Sequence, residues 1–255
     1  MTSHILCSTE AHIMRIVIDR PEKKNALTGP MYQALADALR AAEADAAVRV
    51  VMLHGRPDCF SAGNDLKDFL EHPHEGEDTP VSQFLRAIAA APKPLVAAVG
   101  GPVIGVGTTL LLHCDFVYAT PEARFQLPFT SLGLVPEAGS SLLLPLAAGY
   151  QRAAELLLLG RPFDADKARD AGIVTGIVPE AELLGVALDT ARALAALPPE
   201  SVRLSKALMK QHWRDAVAQR MAEESAIFRQ RLRSPEAREA FSAFLEKRPA
   251  DFSRF

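Results

Sequence analysis

Apolar and polar positions along the chain follow two periods, and the change between them divides it. Residues 5–8 and 13–18 are apolar-rich runs on either side of the polar segment 9–12, a hairpin pattern. Met31, Leu35, Ala38 and Leu39 then recur at helical spacing behind Thr28 and Pro30, which suit an N-cap and a first turn. They predict an amphipathic helix over 30–46. Runs rich in β-branched or small apolar residues at 48–53, 95–99, 116–119 and 173–178 predict buried strands. Helical spacing returns at 65–70, 81–91, 107–113, 140–148, 151–159 and 165–171, while 161–164 reads as a turn. Beyond residue 179 only helical spacing remains, over 181–197, 200–212, 215–233 and 235–247. Strands alternating with helices, followed by helices alone, predict an α/β core over 1–195 and a helical part over 196–255. Strand, turn and helix recur without a fixed sequence period, so no strict solenoid is predicted.

Composition narrows the class. At 255 residues, 49% hydrophobic and 23% charged, the chain has the make-up of a globular protein able to bury a large core. A net charge of −3 gives no electrostatic case for nucleic acid. Cys7, Cys59 and Cys114 are scattered and odd in number, which fits neither a metal site nor a disulfide framework and suits a reducing compartment. The first twelve residues lack a basic region followed by a long apolar run, and no apolar stretch is long enough to span a bilayer. The expectation is a cytoplasmic protein with no membrane partner, no metal and no cofactor.

Three features could carry chemistry. Phe60–Leu66 (FSAGNDL) and the Gly105-Val106-Gly107 turn each link an apolar strand to a helix. Glycine admits close backbone approach, and a helix N-terminus leaves free N–H donors. Two such donors aimed at one point make an oxyanion hole; two ordinary tight turns are the plain alternative. The third feature is Glu137, set among apolar and small residues in LGLVPEAGSS. Desolvation there would raise its pKa and make it a competent base. The alternative is an acidic residue favoured by the dipole of the helix that follows.

Other candidates are weaker. Residues 105–110 begin as a dinucleotide fingerprint but end in Leu110, and Asp115 comes too early for the ribose acid. Neither a phosphate-binding Walker motif nor a nucleophile elbow is present. His72 and His74 read as solvated loop residues within an acidic segment, 71–80, that has little to bury and is expected to be mobile. His113 reads as a hydrogen-bonded core residue, Trp213 as helix packing, and the C-terminal Lys and Arg residues as solvated faces.

FSAGNDL, GPVIGVGTTLLLHCDFVYA and FQLPFTSLGLVPEAGSS, in this order, resemble the enoyl-CoA hydratase/isomerase (crotonase) superfamily. The resemblance runs from RPEKKNAL at 20–27 to FLEKRPADF at 244–252. It implies a crotonase-like spiral of ββα units in 1–195 and a C-terminal helical region, 196–255, that builds homotrimers or dimers of trimers. It also implies an acyl-CoA thioester substrate, CoA being part of the substrate. By resemblance the oxyanion donors are the amides of Ala62 and Val106, flanked by Gly63, Asn64, Asp65, Leu66 and Gly105. Lys24, Asn25 and Ala26 meet the CoA, Leu134 belongs to the substrate pocket, and Phe244 and Lys247 reach the CoA of a neighbouring subunit.

Departures from the family pattern point to a subfamily. Hydratases carry two glutamates that activate water; their places fall at Thr109 and Phe129, so both carboxylates are absent. PFTSLGLVPEAGSS is similar to the peroxisomal type of Δ3,Δ2-enoyl-CoA isomerase, in which one glutamate at the place of Glu137 is the base. The resemblance implies that Glu137 takes a proton from C2 of a 3-enoyl-CoA and returns it at C4, with Thr109 and Phe129 lining the pocket. A hydratase using other residues, a ring isomerase acting on a cyclic CoA ester, and a catalytically silent acyl-CoA-binding oligomer are the alternatives.

Overall fold

The computed structural model describes residues 4–65, 67, 68, 76 and 78–255. Leu66, His72, His74 and most of the acidic segment lie outside the described residues, as does most of the helix expected over 65–70.

In chain order the strands are β1 (Ile5–Glu10), β2 (Ile13–Ile18), β3 (Val50–His54), β4 (Leu95–Val99), β5 (Pro102–Ile104), β6 (Phe116–Ala119), β7 (Arg124–Gln126), β8 (Phe163–Asp164) and β9 (Gly176–Ile177). The helices are α1 (Gly29–Ala44), α2 (Pro80–Ala90), α3 (Val106–Thr109), α4 (Ser140–Ala148), α5 (Tyr150–Leu159), α6 (Ala165–Asp170), α7 (Leu183–Ala196), α8 (Pro199–Gln211), α9 (Arg214–Leu232) and α10 (Pro235–Leu245).

Two sheets form among the described residues. The larger has the order β1-β2-β3-β4-β6-β9, and the smaller β5-β7-β8. The β1–β2 hairpin is antiparallel, and every later pairing in the larger sheet is parallel. Twice the chain sends one strand into the larger sheet, the next into the smaller, and then a helix: β4-β5-α3 and β6-β7-α4. This is the ββα spiral.

Both faces of the larger sheet are covered, which is why its central strands read as unbroken apolar runs. Val51 and Leu53 point into the main core with α1 and α2, whereas Val50, Met52, Val96 and Ala98 pack under Leu183, Ala187, Ala191 and Ala195 of α7. The repeat of small residues four apart lets α7 lie close to the sheet. Val217, Met221, Ala237 and Phe241 from α9 and α10 also join the main core.

Several expectations are corrected. The hairpin turn is only Ala11 and His12, both at positive φ (47° and 66°), because Glu10 still pairs with Ile13. That is the two-residue loop whose twist matches the strands. The smaller sheet was not expected: its strands are two or three residues long, too short for an alternation signal, and 161–164 contributes β8 where a turn was read. Of 173–178 only Gly176–Ile177 pairs. The helix over 107–113 is α3 followed by a tighter 3-10 turn, Leu110–His113. Trp213 is 41% exposed and meets His212 edge-on instead of packing inward. Lys206 is not on a solvated face: it is buried, and its Nζ donates to Asp115 Oδ2 (2.6 Å) and the Lys93 carbonyl (2.7 Å), latching α8 to the sheet.

Candidate active site

The two Gly-containing turns lie against each other. Ser61 bridges Val103 in parallel, with Ser61 N–H donating to the Pro102 carbonyl (3.0 Å) and Ile104 N–H to the Ser61 carbonyl (3.0 Å). Gly63 adopts φ +86°, and a Cβ there would sit 2.7 Å from the Ile104 carbonyl oxygen. Both the dihedral and the close approach demand glycine.

A third segment, 20–27, closes over these turns. Asn25 is fully buried, and its polar groups are all spent inside the protein. Its Oδ1 accepts from Arg20 N–H (2.7 Å), and its Nδ2 donates to the carbonyls of Cys59 (2.9 Å) and Phe60 (3.2 Å). Its own N–H donates to the Arg20 carbonyl (2.9 Å), and its carbonyl accepts from Ser61 Oγ (2.9 Å). Asn25 therefore shapes the loop. Ala26 is equally committed: its N–H donates to the Lys23 carbonyl (3.0 Å) and its carbonyl accepts from Arg20 Nη1 (2.9 Å). The Lys24 side chain is exposed. Asp65 pairs with Arg20 (2.8 Å) across the same seam. Burial opposes its charge, but the Arg20 hydrogen bond and the amides of Asp68 and Lys67 outweigh it and hold the carboxyl below its ordinary range. Arg20, which the sequence did not single out, is the tie between the two loops.

The amide expected at Ala62 is not free. Ala62 N–H donates to the Lys24 carbonyl at 2.9 Å, so it is unavailable as an oxyanion donor. The physical reason is the loop at 20–27, whose left-handed Lys24 (φ 49°) turns its carbonyl toward the strand. Two residues on, Leu27 N–H donates to the Gly63 carbonyl and Asp65 N–H to the Leu27 carbonyl, so the Asn64 amide between them faces away from Leu27. Among the described residues the Asn64 N–H has no partner. The Val106 N–H, first in α3, has none either: Gly105 N–H goes to the Gln126 carbonyl (2.9 Å), and the Thr108 and Thr109 amides return to the Gly105 carbonyl. The free amides of the paired turns are thus Asn64 and Val106.

Glu137 is 7% exposed, and its Oε1 lacks a hydrogen-bond partner. Burial pushes its carboxyl up to about 8, and the charge of Glu224 adds to the rise. The reading of Glu137 as a helix N-terminal acid fails on geometry. The amides at the start of α4 that have no partner within the helix go to Glu224 instead, whose Oε2 accepts from Gly139 N–H (2.6 Å) and Oε1 from Ser141 N–H (2.9 Å). The turn between is tight, with Ala138 at φ 60° and Gly139 at φ 73°. It is fixed by Ser140 Oγ donating to the Glu137 carbonyl (2.6 Å) and by His113 Nε2, which lies 2.7 Å from the Ala138 carbonyl.

Tyr32 of α1 joins the parts. It is buried, its hydroxyl donates to Asn64 Oδ1, and burial together with the charge of Glu137 holds its phenol well above the ordinary value. Neither Tyr32 nor Glu224 carries a sequence signal beyond a polar residue on an apolar helix face. Thr109 and Phe129 are buried, and the Thr109 hydroxyl makes only a long contact (3.5 Å) to the Val106 carbonyl. Leu134 is buried and closes the 129–134 turn through its amide, which donates to the Phe129 carbonyl (2.8 Å). Phe244 and Lys247 are exposed at the far end of α10. Among the described residues no helix is long and apolar enough to cross a membrane.

Residues 8–254 match the enoyl-CoA hydratase/isomerase family model. The chain is 36% identical over 251 residues to the enoyl-CoA delta isomerase 2 of Rattus norvegicus, covering 96% of this chain but 64% of that protein. It is 34% identical to the 1,2-epoxyphenylacetyl-CoA isomerase of Escherichia coli (strain K12), covering 99% of each. The crystal structure of an enoyl-CoA hydratase/isomerase from Pseudoalteromonas atlantica T6c superposes with a TM-score of 0.93 at 45% identity, over 98% of this chain and 100% of that one. With its model matched over residues 8–254 and this fold shared nearly end to end, the chain belongs to the enoyl-CoA hydratase/isomerase family.

Proposed function

We propose that the chain is an acyl-CoA double-bond isomerase that shifts a 3-enoyl-CoA to the 2-enoyl-CoA. The observation that carries this reading is Glu137: a buried carboxylate with one oxygen unbonded, in a family site whose two hydratase positions hold Thr109 and Phe129.

The thioester oxygen accepts from the amides of Asn64 and Val106. Ionised Glu137 removes a proton from C2, and the electron pair moves toward the thioester oxygen, giving a dienolate. The two amides stabilise that charge; losing one such donor costs about 2.7–4 kcal/mol of transition-state stabilisation. Protonated Glu137 then delivers the proton to C4, and the double bond comes to rest between C2 and C3. Bonds and charge balance without a redox partner, because one group serves as base and then as acid. Phe129 and Thr109 keep the pocket free of a water-activating carboxylate. The exposed Lys24 ammonium suits a CoA phosphate, and Phe244 and Lys247 suit the CoA of a neighbouring subunit in a homotrimer or dimer of trimers.

A second reading is supported by the end-to-end similarity to the Escherichia coli 1,2-epoxyphenylacetyl-CoA isomerase: a ring isomerase acting on a cyclic CoA ester with the same base. Turnover of 3-hexenoyl-CoA by wild type and Glu137→Gln, with crotonyl-CoA hydration in parallel, tests the proposal. Isomerisation in wild type that is lost in a folded Glu137→Gln supports it. Isomerisation unchanged in the variant refutes the role of Glu137, and hydration without isomerisation refutes the reaction.

A further inference from the structure

We propose that Glu224 is a positioning residue for Glu137: from α9 it clamps the turn that carries the base and keeps a fixed negative charge beside it.

Glu224 occupies a place where an apolar residue would be expected. Val217, Met221 and Glu224 share one face of α9, and all three are buried. A Cβ on Gly139 would lie 3.3 Å from Val217 Cγ1 and 3.4 Å from Met221 Cγ, so this face of α9 packs directly on the turn after Glu137. Burying a carboxylate there is costly unless its oxygens are bonded. They are: three donors converge on it, from Gly139 N–H, Ser141 N–H and Ser141 Oγ (2.5 Å). Gly139 is the N-cap of α4 and has no side chain, so α9 supplies the cap from outside.

These donors also decide which carboxyl of the pair keeps the proton. An N–H points at each oxygen of Glu224, which favours its anion. Glu137 has an oxygen with no donor, which favours its acid form. Burial leaves the Glu224 carboxyl above its ordinary value despite the pull of the Ser141 and Gly139 donors and Arg220, but each of its oxygens has a donor that Glu137 Oε1 lacks. The other groups around the pair do not replace this charge. Tyr32 faces Glu137 from α1 as a neutral phenol, and burial holds His113, below α3, neutral with a pKa of about 4. Arg220 lies one turn before Glu224, with Nη1 3.5 Å from Ser141 Oγ and Nε 3.3 Å from Glu223. Glu224 thus makes Glu137 hold a proton more strongly, and the carboxylate that removes the substrate proton is a stronger base for it.

The proposal rests on Glu137 being the base only for its kinetic consequence, so the deciding measurement is independent of turnover. The protein is labelled with carbon-13 at the glutamate side-chain carboxyls and titrated by NMR. The Glu137 and Glu224 signals are assigned by their loss in Glu137→Gln and Glu224→Gln. In wild type Glu137 should titrate near 8, with Glu224 remaining a carboxylate to lower pH. In Glu224→Gln the Glu137 midpoint should fall by about one pH unit, a tenfold change in proton affinity. The acid limb of kcat should move with it while KM stays within about twofold, a split that lost capping alone would not produce. An unmoved Glu137 midpoint overturns the proposal. So does a wild-type titration in which Glu224 takes the proton first, a result that needs no variant to fold. Absence of 3-enoyl-CoA turnover in wild type would refute the proposed function while leaving the titration decisive for Glu224.

Discussion

His113 Nε2 lies 2.7 Å from the carbonyl oxygen of Ala138, joining the end of the helical segment that starts at Val106 to the turn that presents Glu137. A carbonyl only accepts, so this nitrogen carries the hydrogen, and burial, which lowers the ring's pKa to about 4, keeps it neutral at pH 7. One buried bond thereby ties the segment that starts at the free Val106 amide to the turn that carries Glu137, although the two lie on different ββα units.

Replacing His113 by leucine leaves that carbonyl buried without a donor, which costs about 1–3 kcal/mol. Urea denaturation at pH 7 should show the loss. Isomerisation should fall by roughly tenfold to a hundredfold, because the base shifts from its place. A variant with wild-type stability and turnover would remove His113 from the site.

The same histidine and Glu137 bend stability in opposite directions with pH. The His113 pKa is lowered from 6.5 to about 4 in the fold, so its contribution is present above 6.5 and lost as pH falls toward 4. The Glu137 pKa is raised from 4.5 to about 8, so its contribution is present below 4.5 and lost as pH rises toward 8, at roughly 1.4 kcal/mol per pH unit. Glu137→Gln, which copies the protonated form, should therefore be more stable than wild type at pH 9 and nearly equal to it at pH 5. Equal denaturation midpoints for the two proteins at pH 9 would contradict the raised value.

On the proposed mechanism Glu137 acts only when ionised. The kcat/KM for 3-hexenoyl-CoA should rise with pH along a single limb centred near 8. Glu137→Gln should lose about 10²- to 10⁴-fold in kcat. A flat profile from pH 6 to 9 would be inconsistent with this base.

Tyr32→Phe removes the hydroxyl that holds the Asn64 side chain and keeps the ring that packs against Phe84. Loss of a buried hydrogen bond of this kind is worth about 0.5–1.5 kcal/mol. If it falls on the placement of the Asn64 amide, kcat should drop by roughly threefold to tenfold with KM little changed. Steady-state kinetics on the two proteins measure this directly.

Much of the active-site region was legible in the chain because its requirements are local. Glycine at 63 and 105 marks backbone that no other residue suits, and a lone acid among Leu134, Pro136, Ala138 and Gly139 marks a desolvated carboxylate. Strand runs such as 95–99 announce burial on both faces. The smaller sheet was not legible, since Pro102–Ile104 and Arg124–Gln126 are held by partners distant in the chain rather than by their own pattern.

By itself, the sequence determined the order of the larger sheet's strands and of the main helices, the two glycine turns, the solitary Glu137 and the absence of carboxylates at 109 and 129. Each depends on residue type and near spacing. Only the tertiary structure decided which amides are free. The choice of Asn64 over Ala62 turns on where the Lys24 carbonyl points, and that follows from a loop forty residues away. It alone brought Tyr32, His113 and Glu224 to Glu137, because contacts between side chains on separate helices depend on how those helices pack, and a linear spacing does not record that.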